Sequence, residues 1–409
     1  MLQLEDAVNR ILARIPQPVP EVVPLSEALG RVAAAPALSN IDVPPFANSS
    51  MDGYALQAAD TQGASPAHPR ALRLAGRIAA GQPESGSLTA GTCFRILTGS
   101  PLPPGADAVV MQEDTRIDPG PPETVQVLEP AAPGENIRSA GEDFSRGTVL
   151  ANAGARFSVG HLAALAAAGL DRVTVGRRPT VAILPTGSEL QDPGTALGPG
   201  HIYDSNRTAL ASLVAQAGGI PRPASPIPDV LESTRAALDR AFNEADVIVT
   251  CGGVSVGDLD FVKPALEQLG GELDFWKVAM KPGSPIAFGS CRGKLLFGLP
   301  GNPVSAIVTF LLLVRPALLR WQGAAQTGLP SVTGRLIESL ENHGSRRHFM
   351  RVRLEPDGRV QSAGRQASHA LHALAKSNGL IDVPPASTLA QGASVQVLLM
   401  EGSSYSGST

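Results

Sequence analysis

The stretch Asp246–Lys263, Asp-Val-Ile-Val-Thr-Cys-Gly-Gly-Val-Ser-Val-Gly-Asp-Leu-Asp-Phe-Val-Lys, constrains this chain more than any other. Val247, Ile248 and Val249 are apolar and β-branched in direct succession, with no polar alternation. A strand of that kind needs cover on both faces, which places it inside a parallel sheet flanked by helices. Gly252, Gly253 and Gly257 follow it. Without a Cβ they let the backbone turn sharply and approach a ligand. Asp258 stands before a predicted helix, where its carboxylate is placed to cap free N–H groups. Strand, Gly/Ser loop and helix start together favour an anion, because exposed N–H groups and the helix dipole point the same way. The spacing is neither the P-loop nor the dinucleotide fingerprint. Taken alone, the loop fits a plain strand-to-helix turn as well as a ligand site.

A chain of 409 residues exceeds one ordinary core, so several domains are expected. Leu4, Val8, Ile11, Leu12 and Ile15 recur at helical spacing and predict a helix over 3–15, followed by a short helix at Ser26–Leu29. Between Pro44 and Asp143 short β-favouring runs (Leu72–Ile78, Cys93–Leu97, Ala108–Met111, Val125–Leu128) alternate with Pro/Gly turns. Helical texture returns at Ser158–Gly169, which suggests a β module inserted into a helical domain. From Arg178 to Gln322 strands and helices alternate as in an open, mostly parallel α/β sheet. Asn206–Ala217 reads as a helix, Asp229-Val-Leu-Glu232 has capping-box spacing, and Asn302-Pro303 opens a long helix. The β pattern resumes from Ser331, with a hairpin turn at Asp357-Gly358.

Composition excludes several functions. A net charge of −4, a pI near 6.0 and 4% aromatic residues give no reason to expect a nucleic-acid surface. Cys93, Cys251 and Cys291 are scattered, with neither disulfide nor zinc spacing, and suit a reducing cytoplasm. Glu5 and Asp6 stand where a signal peptide needs positive charge. The longest apolar run, Ala306–Leu319, is interrupted by Arg315 and Pro316 and reads as too short to cross a membrane.

In an α/β sheet the ligand site lies at the carboxyl ends of strands. Thr186–Glu189, Gly252–Asp260 and Gly298–Pro303 all fall there, and their convergence predicts a phosphate-bearing ligand. Lys277, expected on a strand, and Lys281, expected in a loop, are candidate oxyanion cations. Asp52, Asp143, Glu189, Asp258 and Asp260 offer the oxygen ligands that Mg²⁺ prefers. The histidines His161, His201, His343, His348, His369 and His372 lack zinc-ligand spacing and read as surface or core residues.

Ordered segments carry a resemblance: Ser50-Met-Asp-Gly-Tyr-Ala55, Thr98–Glu113, Glu135-Asn-Ile-Arg138 with Gly141-Glu-Asp143, Pro185–Leu190, Gly252–Asp258, Lys281-Pro-Gly283 and Gly298–Ser305. Together they resemble the molybdopterin molybdenumtransferase family, which includes the E domain of gephyrin. The resemblance implies a split helical domain (1–45 and 146–177), an inserted β module (46–145), an α/β domain (178–327) and a C-terminal β-barrel (328–409). It implies a cytoplasmic homodimer with sites shared between subunits. The implied reaction inserts molybdate into the dithiolene of adenylyl-molybdopterin, with Mg²⁺-dependent release of AMP. Contact with the molybdopterin adenylyltransferase is also implied. Carried over by motif, Asp52, Thr98, Asp143, Glu189 and Asp260 are catalytic, and Asp52, Asp143, Glu189 and Asp260 hold the metal. Gly252, Gly253, Ser255, Lys277, Lys281, Pro300, Asn302 and Ser305 bind substrate; Lys281, Ser284, Arg346, Arg351 and Ser368 receive molybdate. There are two departures from the family pattern: Ser284 replaces a lysine, and His372-Ala373 stand where serines are common. A Ser284→Lys change is therefore expected to strengthen oxyanion binding. Competing readings are adenylylation of molybdopterin and a dimeric scaffold with weakened catalysis.

Overall fold

The computed structural model describes residues 1–81, 86–120, 122–253 and 260–400. Its α/β part is a six-stranded sheet in the order Ile220–Pro223, Thr180–Pro185, Val247–Cys251, Lys294–Leu299, Ala287–Cys291, Glu272–Trp276. The first four strands run parallel; Ala287–Cys291 is antiparallel to both of its neighbours, so Glu272–Trp276 points the same way as the first four. Every residue of Val247–Cys251 is buried, as its unbroken apolar run requires. Successive side chains serve opposite cores. Val247, Val249 and Cys251 pack toward the helices Leu4–Ala13 and Ser205–Gln216 and the 303–321 helix, while Ile248 packs toward Leu231–Glu244 and Val262–Gln268.

The 303–321 helix corrects the expectation that Arg315 and Pro316 interrupt this apolar run. It spans 19 residues, long and apolar enough to cross a membrane, yet 89% of its most apolar window is buried inside the protein. A π turn at Phe310–Val314 sits just ahead of Pro316. Proline has no N–H to return to the preceding turn and its ring crowds the carbonyl there, so a widened turn carries the helix through. Buried Arg315 donates from Nη1 to the carbonyls of Thr327 and Gly328, at 2.8 and 3.0 Å.

The inserted β module is a mixed sheet of Ala108–Met111, Gly53–Leu56, Thr92–Ile96, Arg70–Ile78, Thr124–Val127 and Thr115–Asp118, in that spatial order. The chain on its two sides rejoins in one core, where Val23, Ala28 and Ala33 meet Ala151, Phe157, Leu165 and Val173. Alongside the helix Val159–Ala167, this split domain is held by two antiparallel strand pairs, Pro20–Pro24 with Arg172–Gly176 and Ala37–Leu38 with Val149–Ala151. Its second predicted helix is a 3₁₀ turn at Leu25–Glu27.

The C-terminal barrel closes through five strands: Arg347–Leu354, Arg359–Ser362, Ser331–Leu336, Ser394–Leu399 and Gly379–Val383, the last pairing back to the first. A short strand of the α/β part, Met280–Lys281, joins this sheet parallel to Arg347–His348. Loop and barrel are thereby one hydrogen-bonded unit. The capping box at Asp229 does not form. The helix starts after Val230 with no side-chain cap, because Ser188 N–H donates to the Asp229 carboxylate and Asp229 N–H donates to Ser188 Oγ, each at 3.0 Å. A loop partner outbids the local cap.

Candidate active site

At the carboxyl ends of the parallel strands lies a cavity of about 300 Å³. All three predicted loops reach it, through Glu189, Gly252, Gly253, Asp260, Pro300 and Asn302. Gly252 and Gly253 have φ of +98° and +66°, and a Cβ on Gly252 would lie 2.6 Å from Thr186 Oγ1. Glycine at 252 is therefore fixed both by backbone conformation and by the close passage of a neighbouring loop. Gly301 passes Gly252 closely enough that a Cβ on it would lie 3.7 Å from the Gly252 Cα. The Glu189 carboxylate folds back over Gly187, where a Cβ would meet it at 2.6 Å. Ser255 and Asp258, expected in the same loop, lie outside the described residues.

Behind the cavity lining, residues to which the sequence gave no site role hold its loops and the adjoining helix in place. Asp204, only 1% exposed, accepts from Arg207 N–H at 3.0 Å and caps the helix Ser205–Gln216. Asn206 Nδ2 donates to the Gly301 carbonyl at 2.7 Å. Cys251 Sγ donates to the Pro300 carbonyl at 3.3 Å, and burial pushes its thiol up to about 12. It is a tether and not a nucleophile. Asp-Ser-Asn ahead of an apolar-periodic run does signal a helix start, but the bond to a loop 95 residues away leaves no local trace.

Asp52 and Thr98 meet in the β module. The Asp52 carboxylate accepts from Thr98 N–H at 2.7 Å and from Thr98 Oγ1 at 2.9 Å. Those two bonds, the backbone one first, hold its pKa below the usual carboxylate range. Asp143 is exposed on a loop whose N–H donates to the Val43 carbonyl at 3.0 Å. The four proposed metal carboxylates are thus not gathered within one chain. Among the described residues no group of three or more His, Cys, Asp or Glu side chains is placed to hold a metal. Glu189 and Asp260 do share one cavity, and a carboxylate pair with room for water fits Mg²⁺.

The oxyanion candidates divide. Lys281 lines a second cavity of about 370 Å³ with His348, Gln366 and Asn342. Arg346 Nη1 donates to the Met280 carbonyl at 3.4 Å. Arg351 is fully buried; its Nη2 donates to the carbonyls of Arg365 and Ala367 at 2.7 and 3.3 Å, while Nε and Nη1 have no partner among the described residues. Ser368 meets the α/β part through its backbone, its carbonyl accepting from Val304 N–H at 3.1 Å. That bond occupies an amide in the first helical turn. The Ser305 carbonyl faces Gly283. Lys277 is exposed and lies beyond the strand end with φ of +80°, correcting its expected place on a strand.

Ser284 also requires correction. It is 7% exposed, with its hydroxyl 3.5 Å from Met1 Sδ, and does not line the cavity of Lys281. A lysine there would bury an ammonium under the N-terminus, so Ser284→Lys is now expected to destabilise the fold. Of the second departure, Ala373 is buried and His372 exposed. His348, read from sequence as a surface or core residue, is buried, and it stands beside Lys281 in the cavity wall.

Parallel strands ending in glycine loops, with a C-terminal barrel paired to the neighbouring Met280–Lys281 segment, define a multidomain α/β protein with a ligand cavity at its strand ends. The chain matches the MoeA N-terminal region (domain I and II) over residues 2–169, a probable molybdopterin binding domain over 182–320, and the MoeA C-terminal region (domain IV) over 333–400. It is 40% identical to molybdopterin molybdenumtransferase 2 of Mycobacterium tuberculosis over 371 residues, covering 89% of this chain and 91% of the relative. It is 37% identical to the molybdopterin molybdenumtransferase of Haemophilus influenzae, covering 93% and 94%. A crystal structure of the molybdopterin biosynthesis MoeA protein from Pyrococcus horikoshii superposes with a TM-score of 0.83 at 31% identity, covering 98% of this chain and 100% of that one. The chain belongs to the molybdopterin molybdenumtransferase family, transferases of molybdenum-cofactor biosynthesis.

Proposed function

We propose that this protein inserts molybdate into the dithiolene of adenylyl-molybdopterin and releases AMP in a Mg²⁺-dependent step. The observation that carries the reading is Arg351, a fully buried guanidinium whose Nε and Nη1 have no partner among the described residues. A buried cation without a counter-charge is costly, and a dianion such as molybdate supplies the missing charge and acceptors. Lys281, on the loop strand that pairs with His348, brings a second cation to the same junction of α/β part and barrel. The glycine loops around Gly252 and Gly301 give the phosphate-bearing substrate close backbone approach. Glu189 and Asp260 would hold Mg²⁺, which neutralises charge developing on the phosphate oxygens. Thr98 keeps the Asp52 carboxylate ionised and oriented.

Asp52 and Thr98 belong to the β module and Glu189 and Asp260 to the α/β part, so a homodimer in which one subunit's module completes its partner's cavity fits this division. The substrate is drawn from a cytoplasmic molybdopterin adenylyltransferase, with which direct contact is part of the reading. Incubation of the purified protein with adenylyl-molybdopterin, Mg²⁺ and molybdate tests it. AMP and metal-loaded cofactor should appear in equal amounts. No AMP, or AMP without metal insertion, refutes the reaction.

A further inference from the structure

Where Met280–Lys281 pairs in parallel with Arg347–His348, Lys281 and His348 are register partners. Paired residues of neighbouring strands share a face of the sheet, so these two side chains stand side by side. Both line the cavity of about 370 Å³. The imidazole is only 4% exposed, and its Nε2 has no hydrogen-bond partner among the described residues. A buried polar atom left without a partner is costly, and it marks a place where a ligand can supply one.

The charges that act on His348 are cationic. Burial first, then Lys281 from the neighbouring strand and Arg351 from its own, hold the imidazole neutral down to about pH 4. On its other side the strand Gly379–Val383 sets Val383 opposite His348, and the Asp382 carboxylate is taken by Arg347. The remaining titratable groups of the cavity wall are Glu338, Glu341 and His343. Glu338 accepts from Ser362 N–H at 2.6 Å, and Glu341 pairs with exposed His343 at 3.0 Å, so both carboxylates have other partners. A second positive charge beside Lys281 is therefore unfavourable by itself and becomes favourable next to a dianion. A neutral imidazole carries one N–H and the imidazolium two, so proton uptake ensures a donor at Nε2 whichever tautomer precedes it.

We infer that His348 sets the charge selectivity of this cavity: a dianionic oxyanion beside Lys281 draws one proton from solvent onto His348, whose Nε2–H then donates to it. Under the function proposed above, on which the identity of the oxyanion rests, that dianion is molybdate. The one bond made is N–H, the proton comes from the solvent, and no electrons are transferred. A monoanion cannot balance two cations, so it binds without the proton and more weakly.

Calorimetric titration of the full chain with sodium molybdate, between about pH 6 and pH 8 in pairs of buffers that differ in ionisation enthalpy, counts the protons. Near the acid end about one proton should be taken up per molybdate, and affinity should fall by up to about tenfold per unit rise in pH before it levels off. Nitrate, a monoanion, should bind at least about tenfold more weakly than molybdate there. His348→Gln carries no titratable group, so it should bind molybdate without proton uptake and with an affinity that is flat in pH. Molybdate binding without proton uptake in the wild-type chain overturns the inference and leaves the proposed reaction standing. So does uptake that persists undiminished in His348→Gln. Absence of molybdate binding at every pH removes both. Conversely, proton-coupled binding in a protein that fails the insertion assay keeps the inference and removes the reaction. Lys281 is exposed, so Lys281→Gln serves if the buried His348→Gln does not fold. Loss of the neighbouring like charge should move the pH at which affinity levels off upward, and an unmoved profile overturns the inference.

Discussion

Arg351 shows how one residue separates stability from function. Its guanidinium satisfies only part of its donor capacity with backbone carbonyls, and burial alone pulls its pKa down. Replacing buried ions by apolar side chains of similar volume is often neutral or stabilising by about 1–4 kcal/mol. Arg351→Met should therefore keep or raise the thermal midpoint while lowering molybdate affinity by about tenfold or more. Both quantities are read from the same preparation, by calorimetric melting and by molybdate titration. A variant that melts early yet binds normally would make Arg351 a structural residue. His348 tests the same junction through pH. Burial first, then the charges of Lys281 and Arg351, lower its pKa from 6.5 to about 4. Between those values the unfolded chain binds the proton that the folded chain refuses, so stability rises with pH through this window and is lost as pH falls through it. The contribution at neutral pH is roughly 3 kcal/mol. Denaturant melts from pH 7 to pH 4 should show this slope, and His348→Gln should flatten it. An unchanged slope would mean that other groups set the acid limit.

At the scale of elements, the α/β sheet was legible because its signals are local. Val247–Val249 requires cover on both faces, and glycines at 252 and 253 require a tight turn. The structure adds the reason that 252 tolerates nothing else. Gly252→Ala would combine a φ of +98° with a Cβ 2.6 Å from Thr186 Oγ1 and 2.7 Å from its carbonyl oxygen. It should cost at least about 2 kcal/mol, seen as a lower denaturant midpoint, and should weaken substrate binding as the loop shifts. Gly293→Ala is the comparison: its φ of +73° is similarly strained but no atom lies within 4 Å of the added Cβ, so its cost should be smaller. Equal costs would mean that backbone strain alone, without the Thr186 contact, governs position 252. The elements that were not legible depend on distant partners. Met280–Lys281 is a strand only because Arg347 and His348 lie beside it. Asp229 carries a capping signature that Ser188 diverts. Asn206 belongs to the site through Gly301, and Ser284 leaves it through Met1. Residue identity predicted chemical type at these positions; only the assembled chain decides which cavity each one serves.

For the whole molecule, the division of carboxylates between domains has a direct consequence. Asp52, bound by Thr98, lies in the β module, while Glu189 and Asp260 line the α/β cavity. If one subunit's module completes its partner's cavity, Asp52→Ala and Asp260→Ala each disable both sites of a homodimer, because every site draws one residue from each chain. In a mixed dimer one site receives both lesions and the other receives neither. Random exchange between equal amounts of the two variants gives about half mixed dimers, each with one intact site of two, so activity should recover to about one quarter of wild type. Asp52 is exposed and Asp260 lies in a cavity wall, so neither substitution empties a core, and both variants should melt near the wild-type temperature. Subunit exchange is established independently by mixing differently tagged chains and recovering both on one affinity resin. Activity that stays at the level of the single variants, despite demonstrated exchange, would place each site within one subunit, with the β module swinging onto its own α/β cavity.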